Sequence, residues 1–101
     1  LTADIFFLGV DGIDEDIGFT TPNLAEARVN QVMRNVARKT IVVSDSSKFG
    51  KRSLAVICDL KGVDGIITDS ALDSSYRRKI DSLDIDLTLV DPKGRRKDDS
   101  R

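Results

Sequence analysis

Ile5-Phe6-Phe7-Leu8-Gly9-Val10 is an unbroken apolar run that stops at Asp11-Gly12-Ile13-Asp14-Glu15-Asp16-Ile17-Gly18. A run without alternation fits a strand covered on both faces, as in a parallel sheet. The Asp- and Gly-rich stretch behind it reads as a loop. The pattern recurs outward from there. Thr40-Ile41-Val42-Val43-Ser44-Asp45, rich in β-branched residues, is a second buried strand that runs into the loop Ser46–Lys51. Gly65–Asp69 is a third strand and Asp86–Val90 a fourth, while Ser53–Cys58 reads as either a short strand or a helical turn.

Helical spacing fills two of the gaps. Thr21 can cap a first helix with Pro22 at its first position, and Asn23 with Glu26 three residues on is a competing cap. Ala25, Val29, Val32, Met33 and Val36 form its apolar face, and it should end near Lys39, with Arg38 and Lys39 at the negative end of the dipole. Asp69 or Ser70 starts a second helix with the stripe Leu72, Tyr76, Ile80 and Leu83. The order strand, helix, strand, strand, helix, strand predicts an α/β fold with a mostly parallel sheet and right-handed crossovers. Two helices cover both faces of four strands poorly. The reading is therefore a partial domain over residues 1–91, with a flexible charged tail at 92–101. Its bare surface predicts a homo-oligomer.

The 101 residues suffice for one small domain. Sixteen Lys and Arg against seventeen Asp and Glu leave a net charge of −1, without the basic surplus of a nucleic-acid-binding domain. The absence of His removes His-based general-base chemistry and most zinc sites, so neither a metal nor a cofactor is expected. The lone Cys58 cannot close an internal disulfide and reads as a small core residue, which suits a cytoplasmic location. No apolar run approaches the ~20 residues that cross a bilayer, so no membrane partner is expected.

Ligands of open parallel sheets bind beyond the carboxyl ends of the strands. Here those ends run into Asp11 and Asp14, Asp45, Asp69 and Asp91. Asp is also an ordinary turn residue, and that reading stands beside the functional one. Asp11 and Asp14 around Gly12 look built to bring carboxylates and backbone to a ligand with hydroxyl groups. In Asp45-Ser46-Ser47-Lys48-Phe49-Gly50, Lys48 offers a point charge for phosphate and the loop N–H groups could form an anion nest. Thr20 and Thr21 could bind an anion at a helix start or simply cap it. Glu26 complements the helix dipole, or orients Lys48 or a hydroxyl. Asp45, Ser47 and Asp69 are supporting residues.

Five motifs in order, Phe7-Leu8-Gly9-Val10-Asp11-Gly12-Ile13-Asp14, Gly18-Phe19-Thr20-Thr21-Pro22-Asn23, Glu26-Ala27-Arg28-Val29, Asp45-Ser46-Ser47-Lys48-Phe49-Gly50 and Ile67-Thr68-Asp69, resemble the effector-sensing domain of the DeoR family of bacterial regulators of sugar metabolism, mostly repressors. The resemblance covers about residues 3–90. It implies a Rossmann-like three-layer sandwich, similar to the ribose-5-phosphate isomerase and CoA transferase group. It also implies that a phosphorylated sugar or polyol is bound and controls operator binding. Operator DNA would be touched only through an N-terminal winged helix-turn-helix outside these residues. The first half of the sensor, with a Gly-Thr-Thr-type phosphate loop, would also lie outside them. Asp11, Gly12, Asp14, Thr20, Thr21, Glu26 and Lys48 would be the effector-binding residues. Asn30 departs from the pattern, since the family often carries Lys there. Two rivals stay open: a sugar-phosphate isomerase-like enzyme of the same fold group, and an oligomerisation module without ligand. The Gly-Phe-Thr-Thr-Pro-Asn stretch favours the regulators.

Overall fold

The computed structural model describes residues 3–91. In chain order they form β1 (Ala3–Gly9), β2 (Gly12–Asp14), β3 (Gly18–Thr21), α1 (Leu24–Val36), β4 (Ala37–Val43), β5 (Ala55–Cys58), β6 (Gly65–Asp69), α2 (Ser74–Ser82) and β7 (Asp86–Val90), with 3-10 turns at Ser46–Lys48 and Leu60–Gly62. The four strands expected from the apolar runs make one sheet, ordered β1-β4-β6-β7 and parallel throughout. The α/β class and the parallel sheet are as the sequence implies. The tail at 92–101 lies outside the described residues.

The Asp11–Gly18 stretch is not merely a loop. Gly12–Asp14 pairs antiparallel with β3, which pairs with β5, so a second, three-stranded sheet packs into the domain. Ser53–Cys58 thereby resolves as a strand, with Ala55 and Ile57 buried and Val56 exposed between them. Gly18 makes the turn possible. Its φ is +102°, and a Cβ there would stand 2.2 Å from the Cys58 carbonyl oxygen. Phe19 and Ile13, at 0% and 2% exposure, anchor this small sheet in the core.

Helix α1 departs from expectation at both ends and in its facing. Asn23, not Thr21, is the cap: its Oδ1 accepts the Glu26 N–H at 3.0 Å, and Thr20 and Thr21 belong to β3. The helix stops at Val36 and β4 begins at once, so Arg38 and Lys39 lie in the strand. Pairing with β1, from Ala3↔Ala37 onward, supplies backbone partners that a further half-turn of helix would forgo. The helix buries Ala27, while Gln31 donates to the Val56 carbonyl at 3.2 Å and Arg34 to the Gly62 carbonyl at 3.0 Å. The apolar face predicted to enter the core turns outward instead: Val29 and Val32 are each 60% exposed. Helix α2 starts later than predicted, at Ser74 after Asp73, but its stripe does enter the core, with Leu72 and Ile80 buried and Tyr76 and Leu83 packed against them.

The strands were expected to be covered on both faces. Among the described residues one face is covered. Leu8, Val42 and Ile66 are buried, while Ile5, Phe7 and Val43, which alternate with them, are exposed. The strand order explains this. It advances in a single direction, and right-handed crossovers then place every connection on the same side.

This assignment predicts opposite outcomes for two apolar truncations. Phe19→Ala should lose about 3–5 kcal/mol, the cost of emptying a buried aromatic site. Val32→Ala should change stability by no more than about 0.5 kcal/mol, as at an exposed position. Denaturant unfolding of both variants checks this, and comparable losses would contradict the facing of α1.

Candidate functional site

The parallel register brings the sequence-predicted carboxylates to one rim. Gly9 pairs with Val43 and Val43 with Ile67, so the three strands are level at those residues. Asp11, Asp45 and Asp69 each follow two residues later. Between the tips of β1 and β4 opens a cleft of about 520 Å3, lined by Gly9, Val10, Asp11, Glu26, Val43, Ser44, Asp45 and Lys48. β1 delivers Asp11, the first turn of α1 delivers Glu26, and the 3-10 turn after β4 delivers Lys48. Gly9 lies at the mouth in open space, where a Cβ would meet nothing within 4 Å.

The Lys48 turn is pinned from several sides. The Asp45 carboxylate accepts the Ser47 N–H at 3.0 Å and the Ser47 hydroxyl as well. Asp69 accepts the Ser46 N–H at 3.2 Å through Oδ2 and the Ala71 N–H at 3.1 Å through Oδ1. The hydrogen bond from the Ser46 side chain, with help from these amides, holds the Asp69 carboxyl below its ordinary value. Phe49 packs on Tyr76 with ring centroids 5.3 Å apart, and the Gly50 N–H donates to the Ile13 carbonyl at 2.8 Å. Asp45, Ser47 and Asp69 thus all take part in hydrogen bonds that hold the turn.

The anion nest expected from this loop is not there. The N–H of Ser46 goes to Asp69 and that of Ser47 to the Asp45 side chain, while those of Lys48 and Phe49 go to the carbonyls of Asp45 and Ser46. These amides all have protein acceptors, while the Lys48 side chain lines the cleft.

The remaining sequence candidates, Gly12, Asp14, Thr20 and Thr21, are not among the residues that line the cleft. Thr20 and Thr21 are fully buried. The Thr20 hydroxyl accepts the Ser53 N–H at 2.9 Å and donates to the Gly12 carbonyl at 3.3 Å. The Thr21 hydroxyl donates to Asp11 Oδ2 at 3.3 Å. Gly12 sits where a Cβ would fall 2.5 Å from the Lys51 carbonyl oxygen. Asp14 is not among the cleft-lining residues. Its Oδ1 accepts the N–H groups of Asp16 and Ile17 at 2.8 and 3.1 Å, and Arg52 Nε stands 2.6 Å from its Oδ2. The Arg52 guanidinium, followed by the Asp16 amide, holds the Asp14 carboxyl below its ordinary value. Sequence reading missed Arg52, which lies 38 residues from Asp14 and carries no local signal. It also missed Gly9, Val10 and Ser44, although Gly9 was visible as the one break in an otherwise bulky run.

A second depression, of about 490 Å3 beside the amino end of β7, is lined by Arg77 and Arg78 among others, and the Arg77 guanidinium is committed to the carbonyls of Leu72 and Ser70 at 3.0 and 2.8 Å. Among the described residues no helix is long and apolar enough to cross a membrane, and no group of three or more side chains could hold a metal ion.

A pH dependence follows from Asp14 and Asp69. Both carboxyls lie below the ordinary 3.8 in the folded state, so the stability they add is complete above that value and is lost as pH falls through their lower folded values. Asp14→Asn should therefore lower the melting temperature at about pH 6 and lose less than the parent chain between about pH 5 and about pH 2.5. Identical acid slopes for the two proteins would remove Asp14 from this role.

The sequence model of the DeoR C terminal sensor domain matches residues 1–70. The HTH-type transcriptional regulator GlpR of Haloferax volcanii is 41% identical over 88 residues, 87% of this chain and 34% of that protein. The putative aga operon transcriptional repressor of Escherichia coli O157:H7 is 41% identical over 87 residues, 86% of this chain and 32% of that protein. The deoxyribose operon repressor of Escherichia coli K12 is 36% identical over 73 residues, 72% of this chain and 29% of that protein. The chain thus spans about a third of the length of these relatives. It belongs to the DeoR C-terminal sensor-domain family.

Proposed function

We propose that the cleft between the tips of β1 and β4 binds part of a phosphorylated sugar or polyol, and that this binding controls the operator affinity of a regulator, most simply a repressor, of sugar metabolism. The observation that carries the reading is the lining itself. Asp11, Glu26 and Asp45 present carboxylates and Lys48 a single cation, at the carboxyl edge of a parallel sheet. Carboxylates accept hydrogen bonds from sugar hydroxyls, and a lysine pairs with a phosphate oxygen. With the loop amides already bonded, three carboxylates and one ammonium suit the hydroxyl-bearing part of the effector better than a whole phosphate dianion. Further phosphate donors then belong to the part of the sensor outside this chain.

The relatives support the biological setting. Two of them are named as repressors, one of an aga operon and one of the deoxyribose operon. In this reading the chain senses and does not catalyse, works in the cytoplasm, acts on DNA through a winged helix-turn-helix outside it, and belongs to a homo-oligomer that suits paired operator half-sites.

Titration calorimetry with ribose 5-phosphate, fructose 1-phosphate and glycerol 3-phosphate tests the proposal. Saturable binding of at least one is expected. Lys48→Ala should weaken it by about 1.5–3 kcal/mol, the worth of a charge-assisted hydrogen bond, with little change in melting temperature. Unchanged affinity in a folded Lys48→Ala protein would exclude Lys48, and conversion of ribose 5-phosphate to a ketose would favour an isomerase instead.

A further inference from the structure

We infer that Thr21 is a positioning residue that sets the orientation of Asp11 in the cleft. The inference rests on the effector reading above and adds to it a determinant of which hydroxyl geometry is accepted. Asp11 is an exposed side chain at a strand end, a place where a short carboxylate ordinarily samples several rotamers. Here it is held at two points by the same strand. Its backbone N–H donates to the Thr20 carbonyl at 3.0 Å, and its Oδ2 accepts the Thr21 hydroxyl at 3.3 Å. Among the described residues that hydroxyl is the hydrogen-bond partner of the Asp11 carboxylate.

Thr21 is suited to the task because it does not itself move. It is 0% exposed, its strand is paired on both sides, by β2 and by β5, and it carries the branched Cβ that restricts χ1. Thr20 next to it is equally buried and spends its hydroxyl on Ser53 and Gly12. The two adjacent threonines therefore divide the work. Thr20 fastens the Asp11-Gly12 backbone to the small sheet, and Thr21 turns the Asp11 side chain. With one carboxylate oxygen fixed, the other is left to the ligand at a defined angle, which is what separates one hydroxyl epimer from another.

The test combines a binding cycle with a measurement that needs no ligand. Affinities for ribose 5-phosphate, fructose 1-phosphate and glycerol 3-phosphate are compared in the parent protein, Thr21→Val, Thr21→Ser, Asp11→Asn and the Thr21→Val/Asp11→Asn pair. Thr21→Val should weaken whichever ligand binds by about tenfold, and Thr21→Ser should restore it to within about threefold. Thr21→Val should add nothing to Asp11→Asn, a non-additivity that mere loosening of the fold would not produce. In parallel, three-bond couplings of Asp11 in the free proteins should report one χ1 rotamer in the parent and Thr21→Ser, and averaging in Thr21→Val. Additive losses, or an Asp11 rotamer unaffected by Thr21→Val, would overturn the inference. If no ligand binds the parent, the effector reading fails by itself, and the couplings still decide whether Thr21 orients Asp11.

Discussion

Parallel pairing in a single register governs this molecule. Gly9, Val43 and Ile67 stand level across three adjacent strands, and β1 and β4 both end at that height while β6 stays paired to Asp69. An Asp stands two residues beyond each of the three level positions, in β6 as the last residue of the strand. Shifting β4 by one residue against β1 would turn its side chains over and carry Asp45 away from Asp11. The buried members of the ladder, Leu8, Val42 and Ile66, are what hold the register, since a slip would expose them. The cleft is a consequence of the sheet's register before it is a property of any site residue.

Hydrogen-bond accounting then separates residues that face the cleft from residues that hold it. Around the Lys48 turn the backbone donors have protein acceptors, and around Asp11 the two buried threonines have theirs. A buried or half-buried polar group without a partner costs on the order of 1–3 kcal/mol, so this wiring stabilises a rim that would otherwise be a set of mobile turns. The same wiring removes those groups from ligand binding. The cleft is left with side chains that have something to offer: carboxylates toward hydroxyls and one ammonium toward a negative oxygen.

The open face of the sheet and the outward apolar face of α1 have one origin. Strands that advance in one direction with right-handed crossovers keep α1, the small sheet and α2 on one side. α1 in turn lies against the small sheet through Ala27, Gln31 and Arg34, which fixes its rotation and sends Val29 and Val32 outward. A third layer, which the family resemblance implies, is not formed by the described residues, and the chain spans about a third of its relatives.

Much of this was legible in the sequence. Apolar runs ending in Asp located all four strands of the parallel sheet, because burial of a strand and solvation of its end are local properties of composition. The stripe of α2 was legible for the same reason, and Asp11, Glu26, Asp45 and Lys48, singled out in the sequence, line one cleft. What the sequence alone left open depended on partners distant along the chain. β2 and β3 are short and exist because β5 pairs with them. The end of α1 was decided by β1, which offered Ala37–Lys39 a ladder. The facing of α1 was decided by hydrogen bonds to Val56 and Gly62, 25 and 28 residues away. Asp14 and Thr21, chosen in the sequence for their chemistry, are bonded to Arg52 and Asp11, partners that no local pattern announces. Periodicity and composition report what a segment can bury or solvate. Which polar atom faces a ligand and which is already bonded is settled only when tertiary packing brings the partners together.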